Sequence, residues 1–354
     1  MLLIDQLDSK IMEYPTNVED SEKYFKKKYL ESTNKKVLYI HTPYCPSKCK
    51  YCICKSIGER NPEVANDYAV NQLIPQIKKS QDILSSIIFD EVYFGGGTPT
   101  YIPAKLLKRV FDSIPNFKLI KKKCIEASPN TITNEHLDLF KEYKFSFISV
   151  GIQSLQQDVC KWQNRFYLSK EQLLVMSKIL KKSEIYFNYD LICYMGRGDF
   201  RDIKGFREDL YFIMEYCKPS SINIHQMHQS TYTLEKMQKL IEILRKAIED
   251  CPHYECINSR LLDSDAYNDI IYQSQYRLVC ENRNFSHYMW NKCPEIPVKG
   301  YDIYAIGNTD NIFPKSNADS LVYRPGSTKF KEVVFLDAIY DEYISIRLEK
   351  GLDI

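Results

Sequence analysis

Four cysteines fall within ten residues: Cys45, Cys49, Cys52 and Cys54, in Tyr39-Ile40-His41-Thr42-Pro43-Tyr44-Cys45-Pro46-Ser47-Lys48-Cys49-Lys50-Tyr51-Cys52-Ile53-Cys54. The spacing is C-x3-C-x2-C-x-C. Thiolates are soft ligands suited to iron–sulfur clusters. A four-iron cube takes one ligand per iron. Three cysteines on one loop therefore reach three corners and leave the fourth iron open, as a catalytic zinc site keeps an open position. This reasoning assigns Cys45, Cys49 and Cys52 to the metal. The spacing departs from the paired C-x2-C arrangement of zinc sites and from the ferredoxin run, which supplies a full ligand set. A zinc knuckle using all four cysteines is the alternative left open.

A second constellation is Gly95-Gly96-Gly97-Thr98-Pro99-Thr100, between an apolar stretch and a helical one. Glycines there let backbone approach a ligand without side-chain clash; a tight turn is the plainer reading. Further polar residues end apolar runs: Glu126 in Glu126-Ala127-Ser128-Pro129, Gln153 in Gly151-Ile152-Gln153-Ser154, and Asp190 in Asn188-Tyr189-Asp190-Leu191-Ile192. Arg165 has the planar fork that grips carboxylates bidentately. Taken singly, each is an ordinary buried hydrogen bond or surface pair.

The elements that must carry these residues alternate. Strands are expected at 37–40, 90–94, 123–127, 147–152, 185–192 and 221–226. Helical patterns lie at 61–84 (broken by Pro75), 103–114, 134–143, 169–181, 204–217 and 233–250, the last with Leu234, Met237, Ile241, Leu244 and Ile248 in phase. Strands alternating with helices imply right-handed crossovers and a parallel sheet. Six such units suit an open, three-quarter (β/α)6 barrel of TIM-like form, where function sits at the C-terminal strand ends. Residues 1–34 read as a polar N-terminal arm, 35–250 as the barrel and 251–354 as a short α+β extension. In the extension, 253–269 looks irregular, Tyr276–Cys280 and Tyr301–Ile306 look like strands, and 330–350 is helical.

The cysteine stretch resembles the cluster motif of radical S-adenosylmethionine (SAM) enzymes, in the branch of oxygen-independent coproporphyrinogen III oxidase. That branch also includes a haem chaperone, methyltransferases and cyclopropanases. The family pattern Y-x-H-x-P-F-C-x3-C-x-[YF]-C is met by Tyr39, His41, Pro43, Cys45, Cys49, Tyr51 and Cys52, with Tyr44 for phenylalanine. Cys54 resembles a fourth cysteine of the oxidase. The resemblance implies a 4Fe-4S cluster and SAM bound to it. It places Tyr39, Gly96 and Glu126 on that first SAM, and Tyr51, Gly97, Thr98, Gln153, Arg165 and Asp190 on a second. Met227 offers a backbone contact, and Cys54 and His41 stand as catalytic candidates. It also implies electron transfer from a donor such as flavodoxin or ferredoxin, and a 5′-deoxyadenosyl radical acting on a small molecule such as a tetrapyrrole. Arg283-Asn284-Phe285 and Tyr301-Asp302-Ile303-Tyr304-Ala305-Ile306-Gly307 resemble segments of the oxidase. The haem motif of the chaperone, N-x-x-Y-W, is not reproduced at 284–290. Members of the family continue past the helix that ends here at Gly351, which leaves the substrate open.

Bulk properties agree with a soluble enzyme: 354 residues, 44% hydrophobic, 27% charged, net charge +2. So modest a charge argues against a nucleic-acid partner. No run approaches the ~18 apolar residues of a membrane span, and Met1-Leu2-Leu3-Ile4-Asp5 opens no secretory signal. Twelve cysteines then point to a reducing cytoplasm, where Cys160, Cys193, Cys217 and Cys280 serve as small buried hydrophobes. Lysines 26–28 and 121–123 read as solvated faces or a strand edge. A monomer is expected.

Overall fold

The alternation of strand and helix is realised as a parallel sheet in sequence order. The computed structural model describes residues 27, 29–52, 54, 56–195, 200–226, 234–256, 275–280, 301–307 and 322–323. Strands β1 (Lys35–Thr42), β2 (Glu91–Gly96), β3 (Lys122–Ala127), β4 (Phe147–Gln153), β5 (Tyr186–Cys193) and β6 (Ser221–Gln226) pair neighbour to neighbour, all parallel. The crossovers contain α1 (Pro62–Tyr68), α2 (Ile74–Lys79), α3 (Gln81–Ser86), α4 (Ala104–Ser113), α5 (Asn134–Glu142), α6 (Gln157–Trp162), α7 (Lys170–Lys182) and α8 (Phe200–Phe212); α9 (Leu234–Asp250) follows β6. Capping boxes at Thr133 and Ser169 fix the starts of α5 and α7.

Along the backbone, the sequence expectations are refined at two places. Pro75 does interrupt the α-helix, but the helical run continues through a π turn between α1 and α2 rather than ending. A π turn over Ala69–Leu73 widens the ladder just ahead of it, so the proline sits in the first turn of α2, where its missing N–H costs nothing. Residues 254–256 are not irregular but form β7 (Tyr254–Cys256), with Tyr254 and Cys256 buried and Glu255 exposed, the period of a one-sided strand.

β8 (Gln275–Cys280) runs antiparallel between β6 and β7. On the other side, β9 (Tyr301–Ile306) lies parallel beside β1, and β10 (Val322–Tyr323) pairs with β9. The order is β10-β9-β1-β2-β3-β4-β5-β6-β8-β7, an open TIM-like barrel rather than a closed one. A strand from the C-terminal extension thus flanks the strand that feeds the cysteine loop. It is tied there by a buried ion pair, Lys36 Nζ to Asp302 Oδ2 at 2.6 Å, with Asn34 Nδ2 donating to Asp302 Oδ1 at 2.9 Å.

Side chains alternate across the strands. One row, with Leu38, Ile40, Val92, Phe94, Ile148, Val150, Ile222 and Ile224, packs under the helices as the core. The opposite row is polar: Tyr39 and His41 on β1, Tyr93 on β2, Glu126 on β3, Ser149 and Gln153 on β4, Asn188 and Asp190 on β5, Ser221, Asn223 and His225 on β6. The period of two therefore makes both a core and a lined interior from the same strands. Lys123 is not solvated as its cluster suggested. It is buried, its ammonium on the Ile120 carbonyl and 5.5 Å from the Phe117 ring centre, and burial pushes its pKa down to about 8. Cys160, Cys193 and Cys217 are buried as expected; the side chain of Cys280 lies outside the described residues. Among the described residues no helix is long and apolar enough to cross a membrane.

Candidate active site

β1 runs out of the sheet directly into the cysteine loop. A two-residue parallel pairing of Tyr44–Cys45 with Ile57–Gly58 pinches the loop at its base. Ile57 N donates to Pro43 O at 2.7 Å, and Glu59 N to Cys45 O at 2.8 Å. Inside it, Lys48 Nζ donates to Cys54 O and to Ser56 Oγ, both at 2.8 Å. Outside contacts come from the end of α6: Lys50 N donates to Gln163 O at 3.0 Å and Asn164 Nδ2 to Lys48 O at 2.9 Å. The loop's backbone is therefore held by contacts from the protein itself.

Each proposed thiol ligand has a donor beside it. Thr98 Oγ1 lies 3.2 Å from Cys45 Sγ, Arg165 Nη1 3.9 Å from Cys49 Sγ, and Ser56 Oγ 3.7 Å from Cys52 Sγ. A hydrogen bond from Cys54, working against burial and helped by the Lys48 charge, pushes the Cys52 thiol down to about 5. Burial foremost pushes Cys45 up. Among the described residues, no three His, Cys, Asp or Glu side chains are grouped around one point. Three thiols, each beside a donor, fit a multi-iron cluster that takes one thiolate per metal.

The glycine turn closes over this loop. Gly97 N donates to Thr42 O at 2.6 Å and Thr98 N to Tyr44 O at 2.9 Å. Gly96 adopts φ +110°, and a Cβ there would stand 2.3 Å from two atoms of the His41 ring. The missing Cβ expected to admit a ligand at this turn also makes room for the His41 ring beside Gly96. That ring is 1% exposed, its Nδ1 lies 3.3 Å from Tyr39 Oη, and its backbone carbonyl accepts from Tyr68 Oη at 3.1 Å. His41 is thus a packed joint between β1, the glycine turn and the cysteine loop.

Glu126 faces the interior from β3. Tyr93 Oη donates to Oε1 at 2.8 Å and Gly96 N to Oε2 at 3.3 Å. Tyr93 in turn stacks on Tyr39, with ring centres 6.1 Å apart. Burial, then the Asp190 charge, pushes the Glu126 carboxyl up to about 7, although both donors hold it down. A carboxyl so placed is short of a cation, and an ammonium group supplies one.

β4 ends irregularly: its register with β5 shifts between Gly151 and Gln153, and Gln153 stands at φ +70°. Among the described residues its buried Oε1 has no hydrogen-bond partner, and an unpaired buried acceptor costs about 1–3 kcal/mol. The Arg165 guanidinium spans the site. Beyond Cys49, its Nη2 donates to Gly151 O and lies 3.4 Å from Ser128 Oγ. Asp190 does not end its strand but sits three residues short of Cys193, inside the barrel. Ser149 Oγ donates to its Oδ2 at 2.9 Å; Asn188 Nδ2 and Asn223 Nδ2 donate to Oδ1 at 2.6 and 2.9 Å. His225 Nε2 lies 3.5 Å from the same oxygen. These donors hold the carboxyl below its usual range even though burial, the largest influence, opposes them.

The structure brings together Tyr39, His41, the cysteines, Gly96, Gly97, Thr98, Glu126, Arg165 and, along β4 to β6, Gln153 and Asp190. Half-buried Tyr51 belongs to the same cysteine loop. Met227 and the 283–285 and 330–350 segments lie outside the described residues. Sequence reading missed Tyr93, Ser149, Asn223, His225 and Lys48. The signal was present for Asn223 and His225: polar residues alternating with Ile222 and Ile224 in one strand.

Residues 39–210 match the family model described as the Radical SAM superfamily. The chain is 24% identical over 273 residues to "Heme chaperone HemW" of Buchnera aphidicola subsp. Acyrthosiphon pisum, covering 72% of this chain and 68% of that one. It is 30% identical over 202 residues to the "Oxygen-independent coproporphyrinogen-III oxidase-like protein HemZ" of Bacillus subtilis, covering 54% and 38%. With the "Oxygen-independent coproporphyrinogen III oxidase" of Escherichia coli it shares 26% over 190 residues, covering 51% and 41%. The solved coproporphyrinogen III oxidase (HemN) from Escherichia coli aligns with TM-score 0.57 at 18% identity, over 74% of this chain and 60% of that one, a likeness of fold. Open barrel, cysteine loop and family match agree: residues 39–210 form a radical SAM domain, akin to the proteins named oxygen-independent coproporphyrinogen III oxidase, HemZ and HemW.

Proposed function

We propose that this chain is a radical SAM oxidoreductase that carries a 4Fe-4S cluster on Cys45, Cys49 and Cys52 and acts on a tetrapyrrole such as coproporphyrinogen III, by oxidative decarboxylation. The observation that supports it most is the shared placement of thiols, cation-seeking Glu126 and donor-seeking Gln153 on one lined interior. When bound, the reduced cluster supplies one electron that cleaves the carbon–sulfur bond of SAM, the hard chemistry being the cofactor's.

The protein's own residues bind, orient and shield. Thr98 and Arg165 donate toward sulfur, which stabilises thiolate charge. Glu126, with Tyr93 and the Gly96 N–H fixing both oxygens, receives the ammonium of the methionine moiety. The stacked Tyr39 and Tyr93 rings, both buried, keep water from this side. Tyr51, Gly97, Thr98, Gln153, Arg165 and Asp190 are assigned to a second SAM, and Cys54 acts on Cys52 as well as toward substrate. A flavodoxin or ferredoxin is the proposed electron donor, and the cytoplasm the proposed compartment.

A haem-carrying role is the second reading, favoured by the HemW relative that matches 72% of this chain. One assay separates them. Anaerobically reconstituted protein, dithionite, SAM and coproporphyrinogen III should give 5′-deoxyadenosine and a tetrapyrrole that has lost two carboxyl groups. 5′-Deoxyadenosine with unchanged coproporphyrinogen III refutes that substrate, and S-adenosylhomocysteine as coproduct then indicates methyl transfer. No 5′-deoxyadenosine, with stoichiometric haem binding, refutes the enzyme.

A further inference from the structure

The interior row contains an imidazole that the assignments above do not use. His225 is the last inward residue of β6, two positions beyond Asn223 and level with Ile192 of β5. Its Nε2 lies 3.5 Å from Asp190 Oδ1, longer than a well-formed N–H···O bond. That oxygen already receives Asn188 at 2.6 Å and Asn223 at 2.9 Å. A carboxylate oxygen offers two lone-pair directions, so Oδ1 is filled without the histidine. Oδ2 receives only Ser149 among the described residues and keeps one direction free.

The two residues therefore differ in how firmly they are held. Asp190 is clamped by three neutral donors from β4, β5 and β6. His225 is held by a long contact to a saturated atom, and its side chain is 30% exposed, where that of Asp190 is 17%. The ring stands nearer the mouth of the barrel, above an acceptor with spare capacity. A ligand group meeting this edge finds an acceptor and a donor side by side. A vicinal diol uses both: one hydroxyl donates to the carboxylate while the other accepts from the imidazole.

We propose that His225 is a ligand-binding residue of this pocket, which with Asp190 grips the ribose diol of a nucleoside ligand. The assignment rests on the SAM-binding reading above and adds a residue to it. His225 leaves Asp190 for the ligand at little cost, because Asn188 and Asn223 keep the carboxylate satisfied.

The test uses reconstituted holoprotein and S-adenosylhomocysteine, which binds without turnover, measured by equilibrium dialysis. One hydrogen bond of about 1.4 kcal/mol corresponds to a tenfold change. His225→Ala should weaken binding about tenfold. His225→Gln, which keeps a donor of similar reach, should recover most of it, with iron content and melting temperature at wild-type values in both. The 2′-deoxy and 3′-deoxy forms of the ligand should bind wild type more weakly, and for at least one of them His225→Ala should add no further loss. Binding unchanged in His225→Ala, or weakened equally in both variants alongside a lower melting temperature, overturns this assignment while leaving SAM binding intact. A wild-type holoprotein that binds no S-adenosylhomocysteine overturns both.

Discussion

Replacing Gly96 with alanine tests the joint between the cysteine loop and the glycine turn. The added Cβ would lie 2.3 Å from both Cε1 and Nδ1 of His41. The ring has little room to retreat. It is 1% exposed, and Tyr39 Oη lies 3.3 Å from its Nδ1. Over-packing of this kind costs about 1–3 kcal/mol. The φ of +110°, which L side chains seldom adopt, adds about 1–3 kcal/mol. The expected loss of stability is then about 2–6 kcal/mol. A double-mutant cycle with His41→Ala divides it, because clearing the ring relieves the over-packing and leaves the backbone strain. Coupling of about 1–3 kcal/mol should appear. The measurement is anaerobic urea unfolding of the cluster-free protein, followed by circular dichroism. A Gly96→Ala protein within about 0.5 kcal/mol of wild type, or coupling inside that additivity error, would refute the reasoning.

Three more expectations follow from charges and thiols. Glu126 has its folded pKa raised from 4.5 to about 7. Between those values the unfolded chain has released its proton while the folded one has not, so ionisation favours unfolding. Stability of the cluster-free protein should decline from pH 4.5 to 7 and level off above, and Glu126→Gln should flatten that decline; an identical slope in the variant would remove Glu126 as its source. Asp302→Ala strands the buried Lys36 ammonium and should cost about 3–5 kcal/mol in urea unfolding, with much of it regained in Lys36→Met/Asp302→Leu; a loss below about 1 kcal/mol would mean the pair is solvated. Cys45→Ala should fail to take up the cluster, measured as iron and acid-labile sulfide per chain, whereas Cys54→Ala should load normally. Cluster loss in Cys54→Ala would make that thiol a fourth ligand.

The cysteine spacing by itself determined the metal reading, since three soft ligands at C-x3-C-x2-C describe one loop whatever surrounds it. Alternating strand and helix patterns determined the parallel open barrel, because local periodicity and right-handed crossover leave few topologies. What pairs across the barrel was decided only by the tertiary structure. Tyr93 and Glu126 are 33 residues apart, yet hydrogen-bonded; Lys36 and Asp302 are 266 apart, yet form the ion pair that sets a late strand beside the first. No local rule reaches such partners. The same holds for the purpose of Gly96, legible as conformational freedom in the sequence and spent in the fold on a histidine ring from the neighbouring strand. It holds too for His225, one polar residue in an alternating strand until folding set it beside a carboxylate already satisfied by its neighbours. Sequence periodicity fixes which face a side chain takes; only strand register, a property of two segments at once, fixes what it meets there.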